Sequence, residues 1–219
     1  MRIAAVIPVY NEEKTIEFLV GRTLRYVDKV VVVDDGSTDA SAAKARDAGA
    51  QVISLGRNTG KANALRQGFK AVRGYDVVVT LDGDGQHSPE EIPALLECIR
   101  RGKDLCIGSR FLSRTEGMPL QRRFSNRVTS WLISTLAKQR ITDPQSGFRA
   151  IRGDKLEQLE LRAERFAIEH VMILEAARRG MRIAEVPVST IYAGERSHIH
   201  PVKDTLRVIY YIARFLLRG

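Results

Sequence analysis

Apolar positions in the first half of the chain fall into two alternating patterns. Short, nearly continuous runs over residues 3–9 (IAAVIPV), 29–33 (KVVVV), 51–55, 76–81 and 104–108 read as strands. Between them, residues 12–24, 41–48 and 62–72 repeat their apolar positions at the spacing of an amphipathic helix. A further helix opens at Ser88-Pro89-Glu90-Glu91, where Ser88 is placed as N-cap, Pro89 fits the first helical position and Glu91 completes a capping box. Strands that are apolar throughout, rather than at every second residue, suit a sheet covered on both faces. Joined through helices, they form a parallel α/β sheet with right-handed crossovers.

The pattern changes after residue 110. A long basic and apolar helix over 120–138 leads to a polar loop at 142–147, an extended FRAIR segment, and two further helices around a strand at 183–188. No internal repeat and no low-complexity linker interrupts it. The expected organisation is one domain over 1–200, with halves at 1–110 and 111–200, followed by an amphipathic helix over 201–219.

A chain of 219 residues buries a full core without disulfides. Cys98 and Cys106 have neither CxxC spacing nor a histidine partner, so they read as buried reduced thiols in a reducing compartment. The apolar stretch near Met1 is too short for a signal peptide, and nowhere is there a run of the ~18 apolar residues that spans a bilayer. The net charge of +9, much of its excess lying after residue 99, calls for an anionic partner such as nucleic acid, a phosphorylated metabolite or anionic lipid.

Chemistry concentrates where the strands end. Asp82-Gly83-Asp84-Gly85-Gln86 sets two carboxylates and an amide just past an apolar strand, where they can share a hard divalent cation and a diphosphate. Taken alone, the same run is an ordinary Asp-Gly turn. The first strand ends in Pro8-Val9-Tyr10-Asn11-Glu12 and the second in Asp34-Asp35-Gly36-Ser37-Thr38-Asp39. Tyr10 can lie beside a base, and Glu12 and Asp35 can accept hydrogen bonds from a nucleobase edge or ribose hydroxyls. By itself DDGSTD is equally a turn leading into a helix capped by Ser37, Thr38 or Asp39. Three such loops at strand ends favour one crevice on the carboxyl edge of the sheet.

PVYNE at 8–12, DDGSTD at 34–39, GKANALRQGF at 60–69, LDGDGQHSPE at 81–90, GSRF at 108–111 and DPQSGFRA at 143–150 resemble, in order, the motifs of a known family. They are similar to those of the family 2, GT-A fold, inverting glycosyltransferases, and most of all to polyprenyl-phosphate sugar transferases of the dolichol-phosphate mannose synthase type. The resemblance implies a mostly parallel, Rossmann-like sheet flanked by helices, with the nucleotide sugar bound by 1–110 and the acceptor by 111–200. It implies metal-dependent, inverting transfer from a nucleotide-diphosphate sugar to a polyprenyl (dolichyl) phosphate. GDP-mannose, UDP-glucose and other UDP-sugars remain open as donors, GKANAL being nearer to relatives that use UDP-sugars.

Carried over by position, the resemblance assigns Pro8, Tyr10, Glu12 and Asp35 to the nucleoside and Asp82 and Gly83 to the ribose and first phosphate. Asp84 and Gln86, with Asp82, would ligate Mg²⁺ or Mn²⁺. Lys61 either adds a point charge near the nucleotide or is a solvated lysine at a helix start. A lipid phosphate is already ionised and needs cations to place it, which suits the planar fork of arginine. Arg110 and Arg149 are the first candidates, with Arg123 and Arg196 behind them; for each, a solvated or carboxylate-paired side chain is the competing reading. Asp143 matches the position of the general base in sugar-accepting relatives; here it orients the acceptor or an arginine, or caps a turn. His198 stands where the family commonly has a lysine, and is either a diphosphate ligand when protonated or a surface histidine.

Two helices point to a membrane. Over 119–138, Phe124, Val128, Trp131, Leu132, Thr135 and Leu136 share a face of a basic helix, and Lys203, Arg207, Arg214 and Arg218 form one stripe on the apolar last helix. The expectation is a peripheral protein on the cytoplasmic face of an anionic bilayer, with a homodimer or a membrane-spanning partner as alternative covers. A nicotinamide-dependent oxidoreductase is excluded, since no glycine fingerprint follows the first strand. Nucleic acid is not an expected partner, since no recognised motif accompanies the basic charge. The full acidic site argues against a noncatalytic nucleotide-sugar binder. The remaining alternative is a transferase acting on a soluble or polymeric carbohydrate, with Asp143 as base.

Overall fold

The computed structural model describes residues 1–113, 120–162 and 167–189. Its centre is β1 (Ile3–Val9), buried along its whole length and paired in parallel with β2 (Lys29–Asp34) on one side and β4 (Val77–Thr80) on the other. β3 (Gln51–Ser54) extends the sheet beyond β2, and β6 (Arg149–Arg152), β5 (Leu105–Ser109) and β7 (Ile183–Pro187) extend it beyond β4. The seven strands lie in the order β3-β2-β1-β4-β6-β5-β7.

The period of two in a strand sorts the continuous apolar runs into two cores. Ala4, Val6, Val31 and Val33 face α3 (Lys61–Ala71), α5 (Leu120–Ala137) and α7 (Ile168–Arg178) through Leu65, Ile133, Ile168 and Met172. Ala5, Ile7, Val30 and Val32 face α1 (Ile16–Thr23), α2 (Ser41–Asp47) and α4 (Ile92–Arg100) through Ile16, Leu19, Ala45 and Leu95. Each fully buried valine or leucine contributes about 1.5–3 kcal/mol of transfer free energy, so these two layers hold the strand ends in register. Cys98 and Cys106 are free thiols buried in the second layer.

The FRAIR segment departs from a wholly parallel sheet: β6 runs antiparallel to both β4 and β5, with Arg149 opposite Thr80 and Ile107. The chain leaves β5 at the carboxyl edge, and α5 with the following loop returns it to that same edge, so the next strand has to run back. Residues 141–148 are thereby left standing over the strand ends. α6 (Gly153–Leu156) follows β6 directly.

Several local expectations are corrected. No side-chain cap bond forms at Ser88; its hydroxyl donates to the Glu90 carboxylate at 2.5 Å, and Glu91 accepts from the Ser189 amide at 2.8 Å. A long-range backbone donor has taken the glutamate that a capping box needs, and Pro89–Glu91 forms a 3-10 turn. Helix α2 starts at Ser41, where Asp39 accepts from the Ser41 amide and hydroxyl instead of capping directly. On α5, Leu132 and Leu136 pack against the core, and among the described residues of the expected apolar face Val128 and Trp131 are the exposed large hydrophobics, the Phe124 side chain lying outside them. The carboxyl-terminal helix over 201–219 lies outside the described residues.

The start of β5 is pinned to β7 by charge. Asp104 accepts from the Arg182 amide at 2.8 Å and from its guanidinium at 3.1 and 3.2 Å. The side-chain hydrogen bonds from Arg182 hold the Asp104 carboxyl below its ordinary value against the opposing pull of burial. A carboxylate whose pKa is lower folded than unfolded adds stability above the unfolded value, lost as pH falls through the folded one. Asp104→Asn is therefore expected to lower the unfolding free energy at pH 7 by about 1.5 kcal/mol, a charge-assisted bond at its lower limit. The loss should shrink below about pH 4, as urea denaturation at pH 7 and pH 3 would show.

Candidate active site

The carboxyl ends of β1, β2 and β4 meet where the chain order reverses, β2 and β3 lying to one side of β1 and β4 to the other. Such a switch point opens a crevice for a ligand. The loops there are bound to one another. The Asn11 amide donates to the Ser37 hydroxyl at 2.9 Å, and the Thr38 amide donates to the Asn11 side chain at 2.8 Å. Gly83 allows the first and third loops to touch: a Cβ there would lie 3.0 Å from Val9 Cγ2 and 3.1 Å from the Pro8 carbonyl. The Gly83 carbonyl in turn accepts from Thr15 Oγ1 at 2.6 Å. Pro8 and Glu12 thus lie against Gly83, next in the chain to Asp82, and the Tyr10 ring is exposed.

Asp35 is buried and has a structural task. Its carboxylate accepts from the Thr59 amide and hydroxyl at 2.8 and 2.7 Å and from the Gly60 amide at 2.7 Å. It fixes the loop that opens α3, and so places Lys61. That lysine is not solvated: its ammonium sits between Asp82 Oδ1 at 2.5 Å and Glu169 Oε1 at 2.6 Å. The reading of a solvated lysine gives way to a buried strut beneath Asp82. Burial works against the Lys61 charge, but Asp82 and Glu169 outweigh it and raise the pKa. Asp82 is likewise opposed by burial and held ionised, its pKa lowered by Lys61 and, less strongly, by His87 and Arg110. Burial drives the His87 pKa down to about 4, against the attraction of Asp82, so the ring is neutral at pH 7.

Asp84 and Gln86 stand half-buried on the turn that follows, with the Gln86 amide donating to Asp84 Oδ1 at 3.0 Å. Among the described residues no three His, Cys, Asp or Glu side chains gather into a cage for a metal ion. The donor set still fits Mg²⁺ or Mn²⁺, which bind through one or two carboxylates and complete their shell with phosphate oxygens and water.

Opposite the acidic turn, residues 141–148 are bolted down from several elements. The Thr80 hydroxyl at the end of β4 donates to the Gly147 carbonyl at 2.7 Å. A Cβ on Gly147 would collide with Asp82 Oδ1 and come within 2.6 Å of Oδ2, so the carboxylate lies against this glycine. From α5, Asn126 donates to the Thr142 carbonyl at 2.8 Å and Ser130 to that of Ile141. Arg110, one residue past β5, grips Asp143 with a two-pronged fork, Nε to Oδ2 at 2.7 Å and Nη2 to Oδ1 at 2.9 Å. The Arg110 amide adds a third bond at 3.1 Å.

Asp143 is 0 % exposed with both oxygens held by Arg110, so it orients an arginine, one of the roles expected of it. The expectation for Arg149 is corrected. Arg149 is 2 % exposed and donates to the carbonyls of Ser146, Glu169 and Pro144 at 2.8, 2.6 and 2.8 Å. It shapes the loop from beneath and does not meet an acceptor phosphate. Arg196 and His198, and the side chain of Arg123, lie outside the described residues.

Sequence reasoning missed Glu169 and Glu185. Each left a signal, an acid among apolar neighbours: Glu169 lies within the wholly buried run Ile168–Ala176 of α7, and Glu185 sits within IAEVP. Such a residue needs partners, because an unpaired buried charge is costly.

Known proteins resemble this chain in fold and sequence. The family model for glycosyl transferase family 2 matches residues 4–159. The undecaprenyl-phosphate mannosyltransferase of Micrococcus luteus is 34% identical over 205 residues, 87% of this chain and 84% of that protein. The UDP-N-acetylglucosamine–dolichyl-phosphate N-acetylglucosaminyltransferase of Methanococcus voltae is 32% identical over 215 residues, 87% of this chain and 86% of that protein. Among solved structures, glucosyl-3-phosphoglycerate synthase from Mycobacterium tuberculosis, in complex with Mn²⁺, UDP and glucosyl-3-phosphoglycerate, matches with a TM-score of 0.77 and 25% identity, covering 95% of this chain and 77% of that one. With its acidic turn at the switch point of a mostly parallel sheet, the chain belongs to glycosyl transferase family 2 and is a glycosyltransferase of the GT-A fold.

Proposed function

We propose that the protein transfers a sugar, with inversion, from a nucleotide-diphosphate sugar to a polyprenyl phosphate at a membrane surface. The observation that carries this reading is the Arg110–Asp143 fork. A hydroxyl acceptor needs a base to take its proton, and the carboxylate at the expected position is sealed and committed to a cation. A phosphate monoester arrives ionised, and needs placing more than deprotonating. The names of the Micrococcus and Methanococcus relatives, an undecaprenyl-phosphate and a dolichyl-phosphate transferase, support the same acceptor class.

Each group then has a task. Pro8, Tyr10, Glu12 and Asp35 line or shape the crevice for the nucleoside. Asp82, held by Lys61 against Gly147, faces the ribose, and Gly83 seats its turn against the first loop, beside the first phosphate. Asp84 and Gln86 would hold Mg²⁺ or Mn²⁺, a use supported by the Mn²⁺ and UDP of the mycobacterial neighbour. When bound, the cation offsets the negative charge that grows on the departing diphosphate. Arg110 receives the acceptor phosphate, whose oxygen bonds to the anomeric carbon as the bond from that carbon to the diphosphate oxygen breaks. The nucleoside diphosphate leaves with the electron pair, and no proton has to move.

The outer face of α5 supports docking at an anionic bilayer. Trp131 is 70% and Val128 37% exposed, and Arg127, Lys138 and Arg140 are exposed around them. The helix carries no acidic residue, and nearby basic groups add about 1 kcal/mol each at such a surface. Among the described residues no helix is long and apolar enough to cross a membrane.

With a radiolabelled nucleotide sugar, Mn²⁺ and a short polyprenyl phosphate, label is expected to pass into the organic phase. Asp84→Ala should cut that rate at least 100-fold and weaken Mn²⁺-dependent nucleotide binding in calorimetry; label found only on water-soluble carbohydrate would favour the other acceptor class. Gly147→Ala should displace Asp82 and raise the donor KM at least tenfold with a smaller change in kcat, as steady-state kinetics would show. Replacing Val128 and Trp131 together by serine should reduce sedimentation with phosphatidylglycerol vesicles several-fold, and equal sedimentation would remove α5 as the docking face.

A further inference from the structure

We infer that Glu185, far in sequence from every motif of the site, is a positioning residue that sets Arg110 for the acceptor phosphate. The inference rests on the role given to Arg110 above. β7 lies parallel to β5 with Glu185 opposite Ile107, so the Glu185 side chain rises beside the strand that delivers Ser109 and Arg110. Its carboxylate spans the loop opposite. Both oxygens lie 2.9 Å from the Thr142 amide, Oε1 accepts from the Asp143 amide at 3.0 Å, and Oε2 accepts from the Thr142 hydroxyl at 2.9 Å.

These contacts end on the functional arginine. The peptide that Glu185 holds carries Asp143, and the Asp143 carboxylate carries the Arg110 guanidinium and amide. A second tie runs from Thr142 Oγ1 to Ser109 Oγ at 2.6 Å, next to Arg110 in the chain. Thr142 and Asp143 are therefore clamped between β7 and β5, and the clamp sets where the fork stands. A misplacement of about 1 Å in such a group costs on the order of 100-fold in rate.

Charge is part of the fit. Among the described residues each hydrogen-bond partner of the Glu185 oxygens is an N–H or O–H donor, and a carboxylate is acceptor-only. Glutamine has the same shape, but because both oxygens meet the Thr142 amide, either orientation sets an NH₂ donor against that N–H, so the peptide has to shift. A residue that merely held the fold would, when replaced, lower the amount of active protein and leave each KM where it was. A positioning residue changes the KM of one substrate.

The test compares Glu185→Gln, Glu185→Asp and Arg110→Lys in the full chain, with short polyprenyl phosphate as the varied substrate and then the nucleotide sugar. Expected for Glu185→Gln is a rise in acceptor KM of about tenfold with the donor KM within twofold. Combined with Arg110→Lys it should add little, since both changes act through one group. If Glu185→Gln does not fold, Glu185→Asp, which keeps the charge but falls one methylene short, is expected to show the same split between the two KM values. An unchanged acceptor KM in the glutamate variants, beside a raised one in Arg110→Lys, would overturn the role of Glu185 alone. Equal changes in both KM values would also overturn it. An unchanged acceptor KM in Arg110→Lys would instead overturn the reading of Arg110, and this inference with it.

Discussion

Ionised side chains at the floor of the cleft dictate much of its architecture. Moving a carboxylate or ammonium out of water costs several kcal/mol even after relaxation, and only close opposite charges with further hydrogen bonds repay it. Lys61 stands between Asp82 and Glu169, so one ammonium is shared by two carboxylates brought from the end of β4 and from α7. Asp35 puts that lysine in place by ordering Thr59 and Gly60, and Gly147 leaves room for the Asp82 carboxylate. Removing Lys61 would strand both carboxylates, which explains why groups so far apart in sequence have to agree in space.

The same device recurs in the loops. Asp35, Glu185 and Arg149 each spend most of their hydrogen-bonding capacity on backbone amides or carbonyls of a neighbouring loop. Loops at strand ends are otherwise the most mobile parts of an α/β domain. Fixing them with charged side chains means that little reorganisation remains when substrates arrive, and dipoles already in place are the ones that lower a barrier. In this chain the groups proposed to meet substrate, Asp84, Gln86 and Arg110, lie next to residues whose work is to hold backbone.

The strands and loops of the proposed donor side were legible because their signals are local. Apolar runs, the acidic turn at 82–86 and the polar strand ends at 8–12 and 34–39 are each contained within a few residues, and the strands they implied are present. The acceptor side was less legible because its geometry is set across long separations. Arg149 follows a glycine and a phenylalanine in a polar loop, as an exposed phosphate ligand would, yet it opens an antiparallel strand and is buried there. The state of Asp143 depends on Arg110, 33 positions away, and on Glu185, 42 positions away. The capping box at Ser88 failed for a similar reason, since the competing donor to Glu91 is the Ser189 amide, 98 positions away.

The reversal of β6 is what brings the two halves of the site together. A parallel strand at this position would begin at the opposite edge of the sheet, a strand length or about 15 Å from the acidic turn at ~3.3 Å per residue. Because β6 runs back, the loop that precedes it arrives at the edge where β1, β2 and β4 end. Thr80 and Gly147 can then share a hydrogen bond, and Asp82 can lie against the loop that carries Asp143. Transfer between two bound molecules requires their reacting atoms to stand about 3–3.5 Å apart, so groups that bind donor and acceptor have to share one edge. An antiparallel strand inserted beside β4 meets that requirement without lengthening either loop, and so brings the groups proposed for the acceptor to the edge that carries those proposed for the donor.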